Sequence, residues 1–495
     1  MRKDRVRRIV ALVIVLNLIQ LGYFFLHRSI EQQTPDRDEQ LPPKARVHSY
    51  VVKKWSLVES YSPWLPADRG SSHSCEAFFG NGFSDLRRVV DHSGSYGGSF
   101  RCYHSDALKT SICEGTKMVM HASRISMTAG GEEIDAVIGR EEQEELPVFQ
   151  VGAFELQVPD EADGKALVEG GRLDEVIARG HGGNRHGLRS LVESIRTVSS
   201  KSSRCSEVIT KPTLFVTRFE YANLFHTVTD WYSSYASSRV VGLEERPMVV
   251  FLDGHCKSPM DDGWEAFFSG VKYAKHFGDN VCFDRAVFVP LGYETALFKF
   301  LGTGLACTGS SPAEVDASKT ARLREFGEIF SAALSGSNST EENRSDVIQV
   351  LLIRREDYLA HPRHSGKPES RLANEEELYK AMVDWASKRN SAAGARRKIT
   401  IFNGLFAHMR LAEQIKAVKS SSIIVGVHGA GLTHIVFARP GTSVVEMLSP
   451  LFMRPHYMFI SQWMGLDYHS IVMDDATVDC NQVLRHLDKV MAKLT

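Results

Sequence analysis

The sequence predicts an α/β protein with two Rossmann-like domains that face a cleft, preceded by a transmembrane helix and a stem. Three observations support this prediction: strands and helices alternate after residue 211, the alternation restarts after a polar segment at 311–345, and an apolar run occupies 9–26. Alternating strands and helices form parallel βαβ units. The 495 residues, 43% hydrophobic and 24% charged, suffice for two or three domains.

The N-terminal residues predict the compartment. Basic residues within 1–8 precede the apolar run Ile9–Leu26, and acidic residues follow it. This asymmetry predicts a cytoplasmic tail at 1–8, a transmembrane signal anchor at 9–26 and a lumenal remainder. A cleaved signal peptide is the alternative, but bulky Phe24 and Phe25 stand where a small-residue cleavage site is expected. The polar, proline-containing residues 27–70 predict a stem.

Charge and cysteine content narrow the class of protein. The 59 basic and 60 acidic side chains leave a formal net charge of −1, so no global field favours nucleic acid. The eight cysteines, an even number without metal-binding spacing, favour disulfides in an oxidising lumen, with free buried thiols as the alternative. The expected pairs are Cys102–Cys113 and Cys256–Cys282.

Two domains are expected to follow the stem. Residues 71–310 are assigned to the N-terminal domain, with an irregular, Gly-rich extension at 75–200, and residues 346–495 to the C-terminal domain. Residues 311–345 are expected to link them and to carry an exposed loop, since "SGSNSTEENRSD" holds two N-glycosylation sequons. The sequon asparagines are Asn338 and Asn343.

The apolar pattern of each half predicts its strands and helices. In the first half, "PTLFVTRF", "PMVVFLDG" and "RAVFVPLG" predict strands, whereas "EYANLFHTVTDWYSSYASSRV" and "WEAFFSGVKYAKHF" predict helices. In the second half, the strands "VIQVLLIRR", "KITIF", "SIIVGV" and "SVVEML" alternate with the helices "NEEELYKAMVDWASKR", "FAHMRLAEQIKAVK" and "LTHIVFA". Ligands of such sheets bind beyond the carboxyl ends of the strands.

A glycine turn lies at one of these strand ends. It reads His428-Gly429-Ala430-Gly431 and separates strand 422–427 from a short helix. Glycines let the backbone approach a ligand closely, and the first amides of a helix suit a pyrophosphate. A plain tight turn, in which the glycines only relieve strain, is the alternative.

Three polar residues share one face of the first predicted helix. Asn223, His226 and Asp230 are spaced three and four residues apart, near the cleft end of a strand. A His or Asp held by a neighbour can act as a general base toward a hydroxyl group. A network that only ties the helix to the sheet is the alternative, and a metal pair is less favoured because no third ligand has suitable spacing.

The motifs resemble a known family. The strings "HGAGLTHIVFARPGTSVVEM", "LLIRREDYLAHPR" and "NLFHTVTDWY" resemble glycosyltransferase family 61, and "VCFDRAVFVPLGYETALFKF" and "RREDYLAHPRHSGKP" are similar to its plant members. The likeness is strong over residues 205–450. It implies a Golgi type II membrane enzyme of the GT-B type, which moves xylose from UDP-xylose to O2 of the core β-mannose of N-glycans on glycoproteins.

Charged residues of the second half have expected roles that follow from their positions. Arg354 and Arg355 leave a buried strand and are expected to stabilise the UDP leaving group, with surface arginines as the alternative. Glu446, inside "SVVEML", is expected to bind the ribose diol, or else to form a salt bridge to Lys or Arg. His428 is expected to touch the nucleotide, and His434 to pack.

In the first half, Asp230 or His226 is the expected base that deprotonates the acceptor. Asp253 and Trp231 are further candidates for acceptor contacts, and His255 is expected to be structural. The one Asp-x-Asp pair, Asp36-Arg37-Asp38, lies in the predicted stem, so no obligatory metal is expected. A related enzyme that transfers arabinose or N-acetylglucosamine to a polysaccharide or protein remains an alternative, as does a catalytically inactive, membrane-tethered glycan-binding protein.

Overall fold

The computed structural model describes residues 46–47, 53–55, 83, 85–91, 97–106, 108–159, 164–177, 187–201, 203–299, 321–335, 347–355, 372–392, 397–451 and 453–494. The predicted anchor at 9–26 and the sequons at Asn338 and Asn343 lie outside these residues. Among the helices that are described, none has both the length and the apolar content needed to cross a bilayer.

The strands of the described residues are numbered in chain order. They are β1 (Arg46–Val47), β2 (Asp85–Val90), β3 (Phe100–Ser105), β4 (Thr110–Met120), β5 (Ile125–Ser126), β6 (Val148–Phe149), β7 (Phe154–Val158), β8 (Arg196–Ser199), β9 (Glu207–Ile209), β10 (Thr213–Val216), β11 (Met248–Phe251), β12 (Val271–Tyr273), β13 (Val281–Phe288), β14 (Val347–Ile353), β15 (Lys398–Gly404), β16 (Ile423–Val427), β17 (Ser443–Leu448) and β18 (Asp467–Val472).

The α-helices are numbered in the same way. They are α1 (Glu142–Glu145), α2 (Leu173–Val176), α3 (Leu188–Ser194), α4 (Leu224–Val240), α5 (Asp261–Phe267), α6 (Ala296–Lys299), α7 (Ala321–Ser335), α8 (Glu375–Asn390), α9 (Leu411–Ser420), α10 (His456–Met464) and α11 (Cys480–Leu494). A 3-10 helix at Ala430–Phe437 follows the glycine turn.

The first sheet is mixed. Its main path runs in the order β12-β11-β10-β13-β4-β3-β2. Strands β10, β11, β12 and β13 pair in parallel, as the βαβ pattern predicts, whereas β4 pairs antiparallel with β13 and with β3. The segment expected to be an irregular extension at 75–200 therefore supplies strands that continue the sheet. In β3 and β7 buried residues alternate with partly buried ones, and β4 is buried along most of its length, a pattern that the sequence did not reveal.

The second sheet is entirely parallel. Its order is β15-β14-β16-β17-β18, and the first four of these strands lie where the sequence predicts them. Ile353 pairs with Gly426, and Gly426 pairs with Glu446, so the ends of β14, β16 and β17 lie side by side. This register brings the residues that follow β14 and β16 to the same edge of the sheet.

One predicted helix was wrong. The string "WEAFFSGVKYAKHF" forms α5, then strand β12, then a 3-10 turn at Ala274–His276, rather than one helix. The helix ends at Phe268, which has extended backbone angles, and Gly270 follows with a φ of +158°. A glycine tolerates this backbone better than other residues, so the chain turns there and adds an edge strand next to β11.

Helix α7 joins the two sheets through one apolar cluster. It lies within the segment predicted to be a linker at 311–345, and it packs against α5 on one side and α9 and α10 on the other. The Phe330 ring lies 4.5 Å from that of Trp231 and 5.2 Å from that of Phe437. Buried residues of both halves consequently form a single core cluster.

The folded part also begins within the predicted stem. Trp55 is buried, and its ring lies 5.2 Å from the rings of both Tyr235 and Phe267. Strand β1 pairs in parallel with β9. Residues 46–47 and 53–55 therefore belong to the first sheet and its core, rather than to a spacer.

One of the two expected disulfides is confirmed. Cys102 and Cys113 face each other across β3 and β4 and are bonded. The expected pair Cys256–Cys282 is wrong, because Cys282 is bonded to Cys205. Cys256 is a buried free thiol within 3.0 Å of the Tyr221 hydroxyl. Strand β9 runs beside the start of β13, which is why Cys205 reaches Cys282.

A buried ion pair ties the strand ends of the first sheet together. The Asp253 carboxylate, 0% exposed, accepts hydrogen bonds from the Arg218 backbone N–H at 2.7 Å and from its Nη2 at 2.8 Å. Burial alone would raise the pKa of Asp253, but the Arg218 charge holds it below the usual range. The acceptor contact expected of Asp253 is therefore wrong, since its oxygens are enclosed by Arg218.

The pair predicts a stability effect. Asp253→Asn leaves the Arg218 guanidinium with the part-buried Asp261 as its remaining carboxylate partner, at 3.3 Å. Breaking one side of a buried pair typically costs about 3–5 kcal/mol, so we expect the free energy of unfolding to fall by about 3 kcal/mol. Urea denaturation of the full chain measures it. The exposed neighbour Asp262→Asn is the matched control, and equal midpoints for the two variants would contradict this role.

Candidate active site

The glycine turn is shaped around an arginine. Gly429 has a φ of +151°, a conformation that other residues rarely adopt. A Cβ on Gly429 would lie 2.2 Å from Arg355 Nη1, whereas a Cβ on Gly431 would meet nothing closer than Ile353 Cγ2 at 3.3 Å. The glycine at 429 is thus required because the guanidinium lies directly over the turn.

A histidine at the turn is held by a buried carboxylate. His428 Nδ1 lies 2.5 Å from Glu446 Oε1, and the Tyr468 hydroxyl donates to Glu446 Oε2 at 2.6 Å. Because a carboxylate can only accept, His428 Nδ1 carries the hydrogen. Glu446 is 0% exposed, so the ribose contact expected of it is not what the structure shows. Its partners are a histidine and a tyrosine, and its function is to orient His428.

A tyrosine fixes the turn from the other side. The buried Tyr457 hydroxyl donates a hydrogen bond of 2.5 Å to the Gly429 carbonyl and lies 3.3 Å from Thr433 Oγ1. Burial raises the pKa of Tyr457, so the hydroxyl stays protonated and remains a donor. The turn is consequently held at Gly429 by Tyr457 on one side and covered by Arg355 on the other.

The side chains of the two adjacent arginines contact different parts of the structure. Arg354 Nε donates to Glu375 Oε2 at 2.9 Å, and its Nη1 lies 3.2 Å from Glu376 Oε2, so two carboxylates of α8 hold it. Burial would lower the pKa of Arg354, but the two glutamates raise it above the usual value. The prediction that Arg354 contacts the leaving group is therefore corrected: it anchors α8 to the end of β14. Arg355 is the arginine that faces the turn.

Two further basic residues lie beside the turn and were missed by the sequence reading. The His456 ring, at the start of α10, lies 6.0 Å from the His428 ring. Burial, together with the nearby His428 and the exposed Arg454, lowers the pKa of His456 to about 4. The segment 453–456 follows a proline-containing loop without a motif, so only its Arg-Pro-His string could have drawn attention.

Helix α4 brings the predicted catalytic residues toward this turn. It packs against the 3-10 helix Ala430–Phe437. The Phe225 ring stacks on the His456 ring with centroids 5.9 Å apart and planes 10° apart. His226 lies next to it, with its ring 5.4 Å from that of Phe225. The His226 and His428 imidazoles are therefore linked by two intervening rings, Phe225 and His456.

His226 is the predicted base that retains access to a ligand. It is partly buried, and its ring lies 5.7 Å from the Phe298 ring. Burial in these aromatic surroundings lowers the pKa of His226 to about 4. The imidazole is therefore neutral near pH 6–7 and can accept a proton. Among the described residues no partner hydrogen-bonds its ring nitrogens.

The other two members of the expected triad have structural roles. Asn223 is the N-cap of α4, and its Oδ1 accepts from the Phe225 N–H at 3.0 Å. Asp230 is 4% exposed and its Oδ1 accepts from the Gly292 N–H at 3.0 Å. Burial raises the pKa of Asp230 well above its usual range, and the carboxyl is enclosed. Asp230 is too deeply buried for the catalytic contact expected of it, whereas the catalytic role expected of the partly buried Asn223 stays a prediction.

Other expected site residues are also enclosed. Trp231 is 0% exposed, so the acceptor contact predicted for it is wrong, and its ring packs in the core instead. His255 is buried between Glu145, whose Oε2 lies 2.9 Å from Nδ1, and the Arg218 carbonyl, as expected for a structural residue. His434 is buried with Nδ1 2.7 Å from the Gly431 carbonyl, and it packs as predicted.

The arrangement is suited to an anion beside a neutral base. Arg355, His428 and His456 lie at the start of a 3-10 helix whose first N–H groups lack partners within the helix, and Arg454 lies near His456. The nearby carboxylate, Glu446, is buried and engaged. Within the described ranges, no three His, Cys, Asp or Glu side chains gather so as to hold a metal ion. The turn, with Arg355 over it and His226 beyond the Phe225 and His456 rings, offers protein groups to a diphosphate.

Comparisons with known proteins agree with this chemistry. The Glycosyltransferase 61 profile matches residues 317–445. A β-1,2-xylosyltransferase of Oryza sativa subsp. japonica is 47% identical over 448 residues, which cover 89% of this chain and 83% of the relative. A β-1,2-xylosyltransferase of Arabidopsis thaliana is 42% identical over 535 residues, covering 100% of this chain and 99% of the relative.

A more distant relative shares part of the chain. The EGF domain-specific O-linked N-acetylglucosamine transferase of Gallus gallus is 25% identical over 297 residues, covering 56% of this chain and 48% of its own. The full-length likeness to the two plant enzymes and the match at the glycine turn lead to one conclusion: the chain belongs to glycosyltransferase family 61.

Proposed function

We propose that the protein is an inverting glycosyltransferase that moves xylose from UDP-xylose to O2 of the core β-mannose of N-glycans on glycoproteins. The observation that carries the proposal is the turn at Gly429, where a guanidinium and a carboxylate-held histidine flank the start of a helix. The identities of 47% and 42% to β-1,2-xylosyltransferases support xylose as the sugar.

The donor half of the reaction uses the turn. We place the UDP diphosphate on the amides of Gly429–Gly431, where Arg355 offers donors to its oxygens and His428 offers Nε2–H when its imidazole is protonated on both nitrogens. Negative charge develops on the β-phosphate as the bond from xylose C1 breaks, so fixed positive groups there stabilise the transition state. Glu446 holds His428 with one nitrogen toward the carboxylate, leaving Nε2 as the nitrogen that can face phosphate.

The acceptor half uses His226. Its neutral imidazole takes the proton from the mannose O2 as that oxygen attacks xylose C1. The attack comes from the face opposite UDP, the C1–oxygen bond to UDP breaks, and an α-linked donor gives a β-linked product. UDP leaves as an anion. His226 is now an imidazolium, which then gives its proton to water.

We also propose a cellular location and a membrane topology for the chain. Residues 1–8 form a cytoplasmic tail, 9–26 a Golgi membrane anchor and the following residues a lumenal stem and catalytic region. In this account the two sheets correspond to the two halves of a GT-B-type enzyme, with acceptor on the first and donor on the second. Asn338 and Asn343 carry N-glycans. The basic-then-apolar N-terminus and the sequons support this arrangement.

A second candidate differs in its sugar. The 25% identity to EGF domain-specific O-linked N-acetylglucosamine transferase over 56% of the chain favours transfer of N-acetylglucosamine to a protein hydroxyl. The same diphosphate site would serve it, since the nucleotide is shared and only the sugar and acceptor differ. The UDP-sugar that the protein uses as donor therefore distinguishes the two candidate functions.

The direct test offers the full chain a panel of donors. We expect transfer from UDP-xylose to a defined N-glycan, a β-1,2 linkage in linkage analysis, and no transfer from UDP-arabinose or UDP-N-acetylglucosamine. Activity should persist in chelator and gain nothing from manganese, because cationic side chains meet the diphosphate. Transfer of another sugar, or UDP binding without turnover, would overturn the proposed function, and a need for a divalent ion would overturn the metal-free site.

The two glycines of the turn should differ in their tolerance. Gly429→Ala places a Cβ against the Arg355 guanidinium and strains the backbone. Losing a charged hydrogen bond costs about 1.5–3 kcal/mol, so we expect KM for UDP-xylose to rise at least about tenfold. Gly431→Ala, whose Cβ meets only Ile353 at 3.3 Å, should change KM much less. Equal effects in the kinetic assay, with both variants folded, would refute the packing of Arg355 on the turn.

Replacement of His226 and Asp230 tests which residue is the base. His226→Ala should lower kcat by about 10²–10⁴-fold, the usual contribution of a general base. Asp230→Asn should leave turnover within a few-fold, because the amide oxygen still accepts from the Gly292 N–H. Steady-state kinetics with a saturating donor measures both variants, and thermal melts report on folding.

The pH profile gives a second readout for His226. Its pKa of about 4 in the folded protein keeps the imidazole neutral above that pH and protonates it below. The acid limb of kcat/KM for the acceptor should therefore lie near pH 4, provided circular dichroism shows a folded protein. An acid limb near pH 6.5, or a stronger defect in Asp230→Asn than in His226→Ala, would place the base elsewhere.

A further inference from the structure

An exposed aromatic ledge lies beside His226. We define the ledge as Tyr293 and Phe298, whose ring centroids are 5.9 Å apart. Phe298 is 39% exposed, the most exposed phenylalanine, tyrosine or tryptophan in the described part of the chain. Its ring lies 5.7 Å from His226 and 6.1 Å from Phe225. An aromatic ring that is partly exposed beside the candidate base is placed to contact a bound ligand.

Hydrogen bonds fix the backbone that carries the ledge. Tyr293 lies in the 3-10 turn Gly292–Glu294, and Phe298 in α6, which follows directly. The Gly292 N–H donates to the buried Asp230 carboxyl at 3.0 Å, and Thr295 Oγ1 donates to the Gly292 carbonyl at 2.6 Å. Asp230 belongs to the same helix as His226, so one carboxyl fixes the ledge relative to the base.

The lysine that follows Phe298 is paired with a carboxylate and also holds this segment in place. Lys299 Nζ donates to Glu294 and to the Leu108 carbonyl, so the lysine is engaged by the fold. The Tyr293 ring also lies 5.9 Å from Phe298 on one side and 5.8 Å from Phe219 on the other. The ledge therefore offers aromatic faces, with its adjacent lysine already neutralised by Glu294.

This chemistry fits a sugar ring better than a nucleotide phosphate. Aromatic faces carry negative charge, and the C–H groups on one face of a pyranose carry partial positive charge, so the two stack. Phosphate has no such face, and the side chains that suit it, Arg355 and His428, lie at the turn on the other side of Phe225 and His456. The occupant of the ledge is thus a sugar on the acceptor side.

We propose that Phe298, supported by Tyr293, is an acceptor-binding residue on which a pyranose ring of the N-glycan stacks, placing the attacked mannose O2 at His226. This inference rests on the proposed function and adds a subsite to it. Because the ledge adjoins the base, the stacked ring is either the attacked mannose or the sugar next to it.

The test separates acceptor from donor. Phe298→Ala in the full chain should raise KM for the N-glycan about 5- to 10-fold, as expected for loss of an aromatic contact, with KM for UDP-xylose unchanged. Phe298→Trp, which keeps an aromatic face, should stay within twofold of wild type. Val383→Ala, on α8 and 40% exposed, is the matched control for loss of exposed apolar surface and should change neither KM.

Each outcome decides the proposal. Equal acceptor KM for Phe298→Ala and wild type, or an equal rise in both KM values, overturns it. If Phe298→Ala does not fold, Phe298→Leu preserves the apolar volume without an aromatic face and must show the same acceptor-specific rise. Failure of the proposed function is seen separately, because the wild type itself would then transfer no xylose to the N-glycan.

Discussion

The hydrogen-bonded carboxylate of Glu446 is the interaction on which the donor side of the site depends. A charged group that is 0% exposed is costly unless its oxygens are satisfied, and here His428 and Tyr468 each satisfy one. The pairing keeps the Nδ1 hydrogen directed at Glu446 and fixes the direction of the His428 ring at the end of β16. Since β16 and β17 are in register there, the turn and its histidine are held by the sheet itself.

The acceptor side depends on a different buried carboxyl. Asp230 binds the Gly292 turn, so helix α4 and the segment that carries Phe298 keep a fixed relation. Helix α7 then packs the first half against the second through Phe330, which contacts Trp231 and Phe437. The groups nearest the proposed reaction are thus positioned by buried residues that touch no substrate. This explains why several conspicuous polar residues of α4 are structural.

The sequence predicted the parallel strands, the helix that carries His226 and the glycine turn, because apolar periodicity and glycine spacing are local signals. It could not predict side-chain partners. Arg354 and Arg355 look alike in sequence, but Glu375 reaches one side of the strand end and Gly429 the other. Residues such as His456 and Phe298 lie outside any motif and become visible only when distant segments meet. Asp253 likewise resembled a ligand residue until Arg218 was found to enclose it.

We expect the nucleotide diphosphate to lie on the turn at Gly429. A crystal structure with UDP bound would show the position of the diphosphate directly. The account predicts β-phosphate oxygens within hydrogen-bond distance of the Gly429–Gly431 amides, the Arg355 guanidinium and His428 Nε2, with Glu446 still bound to His428 Nδ1. Diphosphate density elsewhere, for example in the groove between α8 and β15 lined by Tyr379 and Asn390, would contradict it.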